Sequence, residues 1–253
     1  MEKKRKKRIP KRLGREPLIE AVWELRFEGD PASGGALPGM LFEKLKAQGE
    51  NASIEALALS SMPRNLRDAQ EPFRYAPTSV LRFKNFAIFI GDRCAALSVV
   101  RPYPGWSVYE KAILTLADWL RHSGLLKNVE QSSIKYLDFF SCKPEEVFRM
   151  LRAGVQLGGL RLKGGGLQLQ AGVERDGFEG MIRIANPATV LIEGELRQGL
   201  LTDIQFGWKV LKSRDFWAAF QEDLRKSKTL CHELFFELLT EETLKAHKPV
   251  YED

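Results

Sequence analysis

Apolar and polar residues alternate over nine residues near the start of the chain, from Ile19 to Phe27. The odd positions are all apolar, and the even positions include Glu20, Glu24 and Arg26. A period of two is typical of a strand that has one face on a hydrophobic core. The pattern therefore predicts a strand whose other face carries Glu20, Glu24 and Arg26.

Loop-forming residues and short apolar runs follow this strand. Residues 30–35 and 62–78 are rich in proline, glycine or charge and predict loops, with a short helix expected over residues 39–48. Turn residues then separate three apolar runs. These runs predict an antiparallel meander over Val80–Phe83, Phe86–Ile90 and Cys94–Val100.

A helix is predicted from Ser107, because Glu110 three residues later completes the capping-box pattern. Gly124 supplies a left-handed stop after it. A strand over residues 129–140 is expected next. The apolar face of the helix contains Tyr109, Ala112, Ile113, Leu116 and Leu120.

The second part of the chain has a similar plan. Asp176-Gly177 is a hairpin dipeptide, and two strands are predicted after it, over Phe178–Ala185 and Thr189–Leu196. Two helices close the chain, one with Phe216 to Leu224 on its apolar face and one with Leu230 to Leu238. Because sheets and helices are segregated, the predicted class is α+β.

The predicted organisation has three parts: a disordered basic arm over residues 1–15, a first α+β half over 16–142 and a second over 143–253. Each half is an antiparallel sheet followed by an aromatic helix. The dipeptides Gly105-Trp106 and Gly207-Trp208 stand in similar places before those helices. The hypothesis of a duplicated unit rests on this similarity.

Positive charge is concentrated in the first fifteen residues. Nine basic residues there against Glu2 give a charge of +8, and the other 238 residues hold 30 basic and 32 acidic groups, a net of −2. Like charges at this density predict a solvated arm. The arm is open to three interpretations: a phosphate anchor for nucleic acid, an import signal, or a segment without a specific role. The candidate nucleic-acid-binding residues are Lys3, Lys4, Arg5, Lys6, Lys7, Arg8, Lys11 and Arg12.

Composition and cysteine content bound the class of protein. Hydrophobic residues make up 44% of the chain, yet no apolar run approaches the roughly 20 residues that cross a bilayer, so no membrane partner is expected. Three cysteines without a CxxC pair favour a reducing compartment. The expected location is cytoplasmic.

Few residues have the spacing that catalysis or metal binding needs. The three histidines form no HExxH motif, so neither a metal nor a cofactor is expected. Ser107 opens a sequence like a nucleophile elbow that lacks the closing glycine. The glycines over residues 158–166 lack the Lys-Ser/Thr of a phosphate loop and predict a hairpin tip. No catalytic residue is therefore assigned.

Acidic residues lie close to arginines on two of the predicted strands. Glu193, Glu195 and Arg197 are expected on one face of a strand, as Glu24 and Arg26 are. Metal-dependent nucleases place acids on neighbouring strands, usually with a lysine beyond them. Arginine stays charged and is a poor proton shuttle, which favours cross-strand ion pairs.

Three segments carry a resemblance to a known family: Pro17–Phe27, Gly105-Trp106 with Tyr109, and Thr229–Thr240. The chain resembles, over residues 17–245, an uncharacterised and sporadically distributed prokaryotic family of about 250 residues. That family opens with a Pro-Leu/Ile-x-Glu-Ala-x-x-Glu-x-Arg-Phe strand. Its Arg-Tyr-x-Asn-Arg strand is replaced here by Lys135–Phe139. The resemblance implies an accessory of mobile-element or defence gene clusters and brings no catalytic residues.

A full-size body without a convergent catalytic set favours a non-enzymatic protein that binds or regulates another macromolecule, with an unknown protein as the partner. The alternatives are a nucleic-acid-associated protein anchored by the tail, a metal-dependent nuclease-like enzyme using Glu24, Glu193 and Glu195, and a small-ligand carrier. The candidate interaction surface comprises Glu20, Glu24, Arg26, Glu193, Glu195, Arg197 and His232.

Overall fold

A computed structural model of the chain describes residues 8–161, 166–210 and 215–251, and these residues confirm the α+β class. The strands are β1 (Arg12–Leu13), β2 (Leu18–Gly29), β3 (Ser53–Ala56), β4 (Ser79–Phe83), β5 (Phe86–Ile90), β6 (Cys94–Val100), β7 (Leu126–Ser141), β8 (Gln156–Leu157), β9 (Leu160–Arg161), β10 (Leu167–Arg175), β11 (Phe178–Ile192), β12 (Glu195–Lys209) and β13 (Pro249–Val250). The helices are α1 (Ser33–Ala47), α2 (Arg64–Ala69), α3 (Glu71–Arg74), α4 (Trp106–Arg121), α5 (Val147–Met150), α6 (Phe216–Leu238) and α7 (Glu241–Ala246). Two 3₁₀ turns cover Ala58–Ser61 and Pro144–Glu146.

The chain divides into two compact units, and each takes residues from both sides of residue 142. We call Glu20–Lys135 with Phe206–Ser227 the central unit. The described residues of Met1–Ile19, Tyr136–Gln205 and Lys228–Asp253 form the terminal unit. Strands β2, β7 and β12 and helix α6 contribute residues to both.

The sheet of the central unit is built on the two patterns that predicted it. Strand β2 pairs antiparallel with β6, and the order continues through β5 and β4 to β3. The register places Trp23 opposite Leu97 and Glu24 opposite Ala96. The alternating strand and the three-stranded meander are therefore both confirmed.

Aromatic residues form much of the core of the central unit. Trp23 is fully buried, its ring meets Phe220 of α6 edge-on at 5.7 Å, and its Nε1 donates to Ser132 Oγ at 2.9 Å. Tyr109 of α4 is also fully buried and donates its hydroxyl to the carbonyl oxygen of Leu97, 2.7 Å away. The buried polar atoms of the Trp23 and Tyr109 side chains thus both have partners, as burial of such atoms favours.

The terminal unit contains strands β10, β11, β12 and β7 in that order. Strands β10 and β11 pair antiparallel, with Arg175 opposite Phe178, and the intervening Asp176 and Gly177 have φ values of 54° and 81°. The predicted Asp-Gly hairpin is confirmed, because both residues adopt the left-handed conformation of a type I′ turn. The core of this unit contains Leu13, Phe140, Val147, Leu151, Leu167, Ile182, Ile184, Leu200, Phe236, Leu239 and Leu244.

The prediction of a disordered arm is wrong for residues 8–15. Strand β1 pairs antiparallel with β13, Arg12 opposite Val250 and Leu13 opposite Pro249. Leu13 is buried in the core of the terminal unit, which gives this segment an apolar anchor that the charge pattern concealed. Lys3, Lys4, Arg5, Lys6 and Lys7 lie outside the described residues.

Three predictions about helices need correction. The two closing helices are one, α6, because no helix-breaking residue interrupts residues 216–238. Gly207-Trp208 lies inside β12, so it is not equivalent to Gly105-Trp106 and no longer supports duplication. Helix α1 begins at Ser33, within the predicted loop.

The capping box at Ser107 is also wrong. Helix α4 begins one residue earlier, at Trp106, and Gly105 is its N-cap with φ 89°, a conformation that favours glycine. The side chain of Glu110 is used elsewhere, in an ion pair of 2.5 Å with Arg225.

Candidate functional site

A two-residue turn at Glu193-Gly194 joins β11 to β12 and corrects the prediction of one strand over Thr189–Leu196. Glu193 and Gly194 have φ values of 53° and 82°, the left-handed pair of a type I′ hairpin. The predicted common face of Glu193 with Glu195 and Arg197 is therefore wrong, since Glu193 lies in the turn. The ion pair between Glu195 and Arg197 is present at 3.0 Å.

The same hairpin exposes two leucines. A two-residue loop places Leu191 directly opposite Leu196, where cross-strand side chains are about 5 Å apart. Leu191 is 69% exposed and Leu196 is 76% exposed, whereas their neighbour Ile192 is buried. We call Thr189–Arg197 the leucine hairpin. Leu191 and Leu196 were not among the predicted surface residues, because the one-strand interpretation hid their pairing.

His232 holds the N-terminal segment to α6 within the terminal unit. Its Nε2 lies 3.1 Å from the carbonyl oxygen of Lys11, and its ring meets Phe236 edge-on at 4.9 Å. Burial lowers the pKa of the His232 imidazole, so the neutral form is favoured. A neutral, half-buried imidazole that contacts a backbone oxygen and a phenyl ring fits a packing role.

Basic side chains surround the β1–β13 pair. Arg8, Lys11, Arg12 and Arg15 are exposed, and the guanidinium of Arg8 lies 5.7 Å from the ring centroid of Tyr251. Two further exposed lysines, Lys245 and Lys248, come from the end of α7 and the residue before β13. The backbone N–H of Gly14 donates to the carbonyl oxygen of Lys248 at 2.8 Å, which ties the two segments together.

In the central unit, the predicted polar face of β2 has partners at each of its named positions. Glu20 accepts a hydrogen bond of 2.5 Å from Ser98 Oγ. Glu24 and Arg26 form an ion pair of 2.6 Å within one strand, whereas the prediction was of cross-strand ion pairs.

Arg26 also belongs to a larger group that sequence reasoning missed. Its guanidinium carbon lies 4.8 Å from the ring centroid of Tyr75, and that of Arg74 lies 5.5 Å from the same centroid. The Tyr75 hydroxyl donates to Glu130 Oε2 at 2.5 Å. We define the arginine–tyrosine cluster as Arg26, Arg74, Tyr75, Arg93 and Glu130, with Glu24 and Asp68 as the carboxylate partners of the arginines.

The pKa values of two side chains in this cluster, Tyr75 and Asp68, are shifted from their usual values. Burial, and then the hydrogen bond to Glu130, raise the pKa of the Tyr75 hydroxyl. The hydrogen bond from Arg93, 2.9 Å long, lowers the pKa of Asp68 against an opposing effect of burial. Residues 62–78 were predicted as mostly loop, and the only sequence signal for the cluster is the recurrence of arginine there.

Arg67 in the same segment makes a separate ion pair with Asp92. Arg67 and Asp92 are each only 8% exposed. The guanidinium of Arg67 donates to Asp92 Oδ2 and to the carbonyl oxygens of Leu59 and Met62. Four donated bonds from one arginine tie α2 to the preceding 3₁₀ turn and to the loop before β6.

A groove of about 440 Å³ lies between α4 and the first turns of α6 in the central unit. Leu114 is an apolar part of its lining, and Glu110, Lys111, Asp118 and Arg225 supply charge. This open, charged groove does not resemble the enclosed apolar pocket that would favour a small-ligand carrier.

Thiol and metal chemistry find little support among the residues that the structure describes. Cys94, Cys142 and Cys231 are free thiols. Burial raises the pKa of Cys94 to about 12, which disfavours the reactive thiolate. In residues 8–161, 166–210 and 215–251, no three His, Cys, Asp or Glu side chains form a group that could hold a metal ion.

Comparison with protein-family models and with curated proteins identifies no relative of the chain. The resemblance to an uncharacterised prokaryotic family therefore stays a prediction. Among the described helices, none is long and apolar enough to span a bilayer, and the cytoplasmic location also stays a prediction.

Proposed function

We propose that this protein is a non-enzymatic accessory protein that binds a partner protein through the leucine hairpin. The observation that carries the proposal is the exposure of Leu191 and Leu196, 69% and 76%, on facing strands of one hairpin. Scattered exposed leucines need no explanation, but two that face each other form a small apolar patch on one hairpin.

The surroundings of the patch indicate the chemistry of its partner. Interfaces commonly have an apolar centre and a polar rim. Here Glu193 lies at the turn, and the Glu195–Arg197 ion pair lies on the face of the hairpin opposite the leucines, because successive side chains of a strand alternate. Since Arg197 already neutralises Glu195, the excess charge at the tip is the negative charge of Glu193. The complementary partner surface is an apolar pocket with a basic residue at its edge.

The test uses Leu191→Ser/Leu196→Ser in the full chain, with Leu66→Ser/Leu160→Ser as the matched control. Leu66 and Leu160 are also exposed, 49% and 74%, and lie outside the hairpin. Affinity capture from cells of the source organism, with nuclease treatment, identifies stoichiometric proteins, whose affinities for the purified variants are then measured. Truncating two central apolar contacts should cost about 2 kcal/mol or more, about a 30-fold loss of affinity.

The control variant should bind as the wild type does. Capture of the same stoichiometric proteins by the hairpin variant, or of none by the wild type, would contradict the proposal.

A second candidate function is nucleic-acid binding through the basic N-terminal segment. The observation that favours it is the β1–β13 pair, which holds the backbone of Lys11 and Arg12 against Val250 and that of Gly14 against Lys248 in the terminal unit, with these three basic side chains exposed. Basic groups anchored in this way can contact successive phosphates without reading sequence.

The structure guides the deletion that tests this function. Removing residues 1–15 would also remove the buried Leu13, so residues 2–8 should be deleted instead. That deletion removes six basic residues, Lys3 to Arg8. If all six contact duplex phosphates, the slope of log K against log salt should become less steep by about 5. Unchanged affinity and slope would rule out an anchoring role for these six residues.

The nuclease-like alternative gains no support from the placement of its acids. Glu24 is in the central unit, paired with Arg26, whereas Glu193 and Glu195 are in the terminal unit and Glu195 is paired with Arg197. We therefore do not extend it to a mechanism.

A further inference from the structure

The arginine–tyrosine cluster of the central unit has three guanidinium groups and three carboxylates, and one of the carboxylates, Glu130, accepts from the Tyr75 hydroxyl. Arg26 is paired with Glu24 at 2.6 Å, and Arg93 is paired with Asp68 at 2.9 Å. Arg64 shares Asp68, at 3.5 Å. Arg26, Arg64 and Arg93 therefore each have a carboxylate partner.

Arg74 makes no ion pair with any residue that the structure describes. Its guanidinium rests against the Tyr75 ring, and its Nε is buried without a hydrogen-bond partner among those residues. A buried donor left without an acceptor costs about 1–3 kcal/mol, and more when the group is charged. Native structures leave few such groups, and those that exist often belong to binding sites.

The position of Arg74 indicates the sign and the shape of a ligand. The guanidinium carbons of Arg26 and Arg74 lie 4.8 and 5.5 Å from the centroid of the same ring, and this positive charge attracts an anion. Glu24 already accepts from Arg26. An oxyanion with several acceptor atoms can bind to the planar fork of Arg74 and still reach a second guanidinium.

We propose that Arg74, with Arg26 beside it on Tyr75, forms a binding site for a phosphate group of a small molecule. Phosphate is preferred to carboxylate because its additional oxygens can accept more hydrogen bonds from guanidinium groups. Free inorganic phosphate and a phosphate monoester share this chemistry. The site lies in the central unit and is independent of the leucine hairpin.

The first experiment is calorimetric titration of the full chain with inorganic phosphate, glycerol phosphate and acetate, in chloride buffer of constant ionic strength. The variant is Arg74→Gln. The matched control is Arg121→Gln, because Arg121 also lies over an aromatic ring of the central unit, 5.9 Å from the centroid of Trp217. We expect saturable phosphate binding that weakens at least about tenfold in Arg74→Gln and is unchanged in Arg121→Gln.

Comparing the three titrants shows which kind of molecule carries the phosphate group. Tighter binding of glycerol phosphate than of inorganic phosphate would indicate a monoester ligand, and the reverse would indicate the free ion. Acetate binding as tight as phosphate binding would overturn the assignment to phosphate. The absence of saturable binding, or equal binding by Arg74→Gln, would overturn the site itself.

A second measurement tests whether Arg74 only supports the fold. If its buried Nε lacks a partner in the free protein, Arg74→Gln should unfold in phosphate-free buffer at the same temperature as the wild type or higher. Phosphate should then raise the unfolding temperature of the wild type by mass action and raise that of the variant less. A variant that unfolds at a lower temperature without phosphate would overturn the proposal in favour of a structural role.

Discussion

Arg67 and Arg74 lie seven residues apart in one segment of the central unit, but they differ in how their donors are used. Arg67 is 8% exposed and donates to Asp92 and to two backbone carbonyl oxygens. Arg74 has a buried Nε without an acceptor in the described part of the chain, and its guanidinium lies over the ring of Tyr75. Arg67 is buried and Arg74 is half-buried, but the two also differ in whether their buried donors have acceptors.

The difference teaches that the two kinds of arginine are told apart by whether their buried N–H donors have acceptors. An arginine whose donors all have acceptors maintains the fold, and one with a donor left over can bind a ligand. A fully satisfied buried ion pair fixes the segments that it joins, because breaking it leaves a charge in a medium of low dielectric constant. A partly satisfied arginine has donors left over for an incoming anion. Perturbing each residue and its neighbours should separate the two roles.

The largest effect is expected from Arg67→Met. This change leaves the Asp92 carboxylate buried without its cation, which should reduce the free energy of unfolding by about 3–5 kcal/mol. Urea denaturation measures the loss. Arg64→Met is the matched control, because Arg64 is in the same helix and its pair with Asp68 is more exposed.

A double variant sharpens this result. Arg67→Met/Asp92→Asn removes both charges, so it should be more stable than Arg67→Met alone. A loss of less than about 1 kcal/mol in Arg67→Met would show that the pair behaves as a surface ion pair does.

A smaller, pH-dependent effect is expected from Asp68 and Arg93 of the cluster. Because the pKa of Asp68 is lowered in the folded protein, the ionised form stabilises the fold above the unfolded value of 3.8. That contribution should be lost as the pH falls below 3.8 and through the folded pKa. Thermal unfolding of Arg93→Gln should show a weaker dependence on pH in this acid range than the wild type. Equal dependence in the two proteins would assign the acid sensitivity to other groups.

Tyr75 should show the opposite dependence at alkaline pH. Its pKa is raised in the folded protein, so its contribution to stability is present below pH 10 and is lost as the pH rises through the folded pKa. Glu130→Gln removes the carboxylate that accepts its hydroxyl and should lower the pKa of Tyr75. Tyrosinate absorbance reports this ionisation, with Tyr75→Phe identifying the signal among the five tyrosines and Tyr251→Phe as an exposed control. An unchanged titration in Glu130→Gln would contradict this account of the shift.

Local patterns explain which parts of the fold could be predicted from the sequence. The alternation over Ile19–Phe27 and the Asp176-Gly177 turn are determined by neighbouring residues, so strand β2 and the β10–β11 hairpin followed directly. Leu13 was hidden among basic residues, and only its place in a core formed by distant residues gives β1 its order.

The arginine–tyrosine cluster could not be predicted because its members come from four separate segments without a common period. Tyr75 and Glu130 are 55 positions apart, and Arg93 reaches Asp68 across 25. Only the fold brings these side chains together. The turn of the leucine hairpin was not predicted for a local reason. Glu-Gly is a weaker turn signal than the Asp-Gly or Asn-Gly that hairpins prefer.

The smallest effect is expected at the leucine hairpin, from Arg197→Gln. Arg197 and Glu195 are 41% and 72% exposed, and such pairs contribute little to stability because water screens them. The free energy of unfolding should change by no more than about 0.5 kcal/mol, in contrast to Arg67→Met. The same substitution frees the charge of Glu195, so a partner with a basic rim should bind the variant at least as tightly as the wild type. A large loss of stability would mean that the pair supports the hairpin. A large loss of affinity without a loss of stability would mean that Arg197 itself contacts the partner.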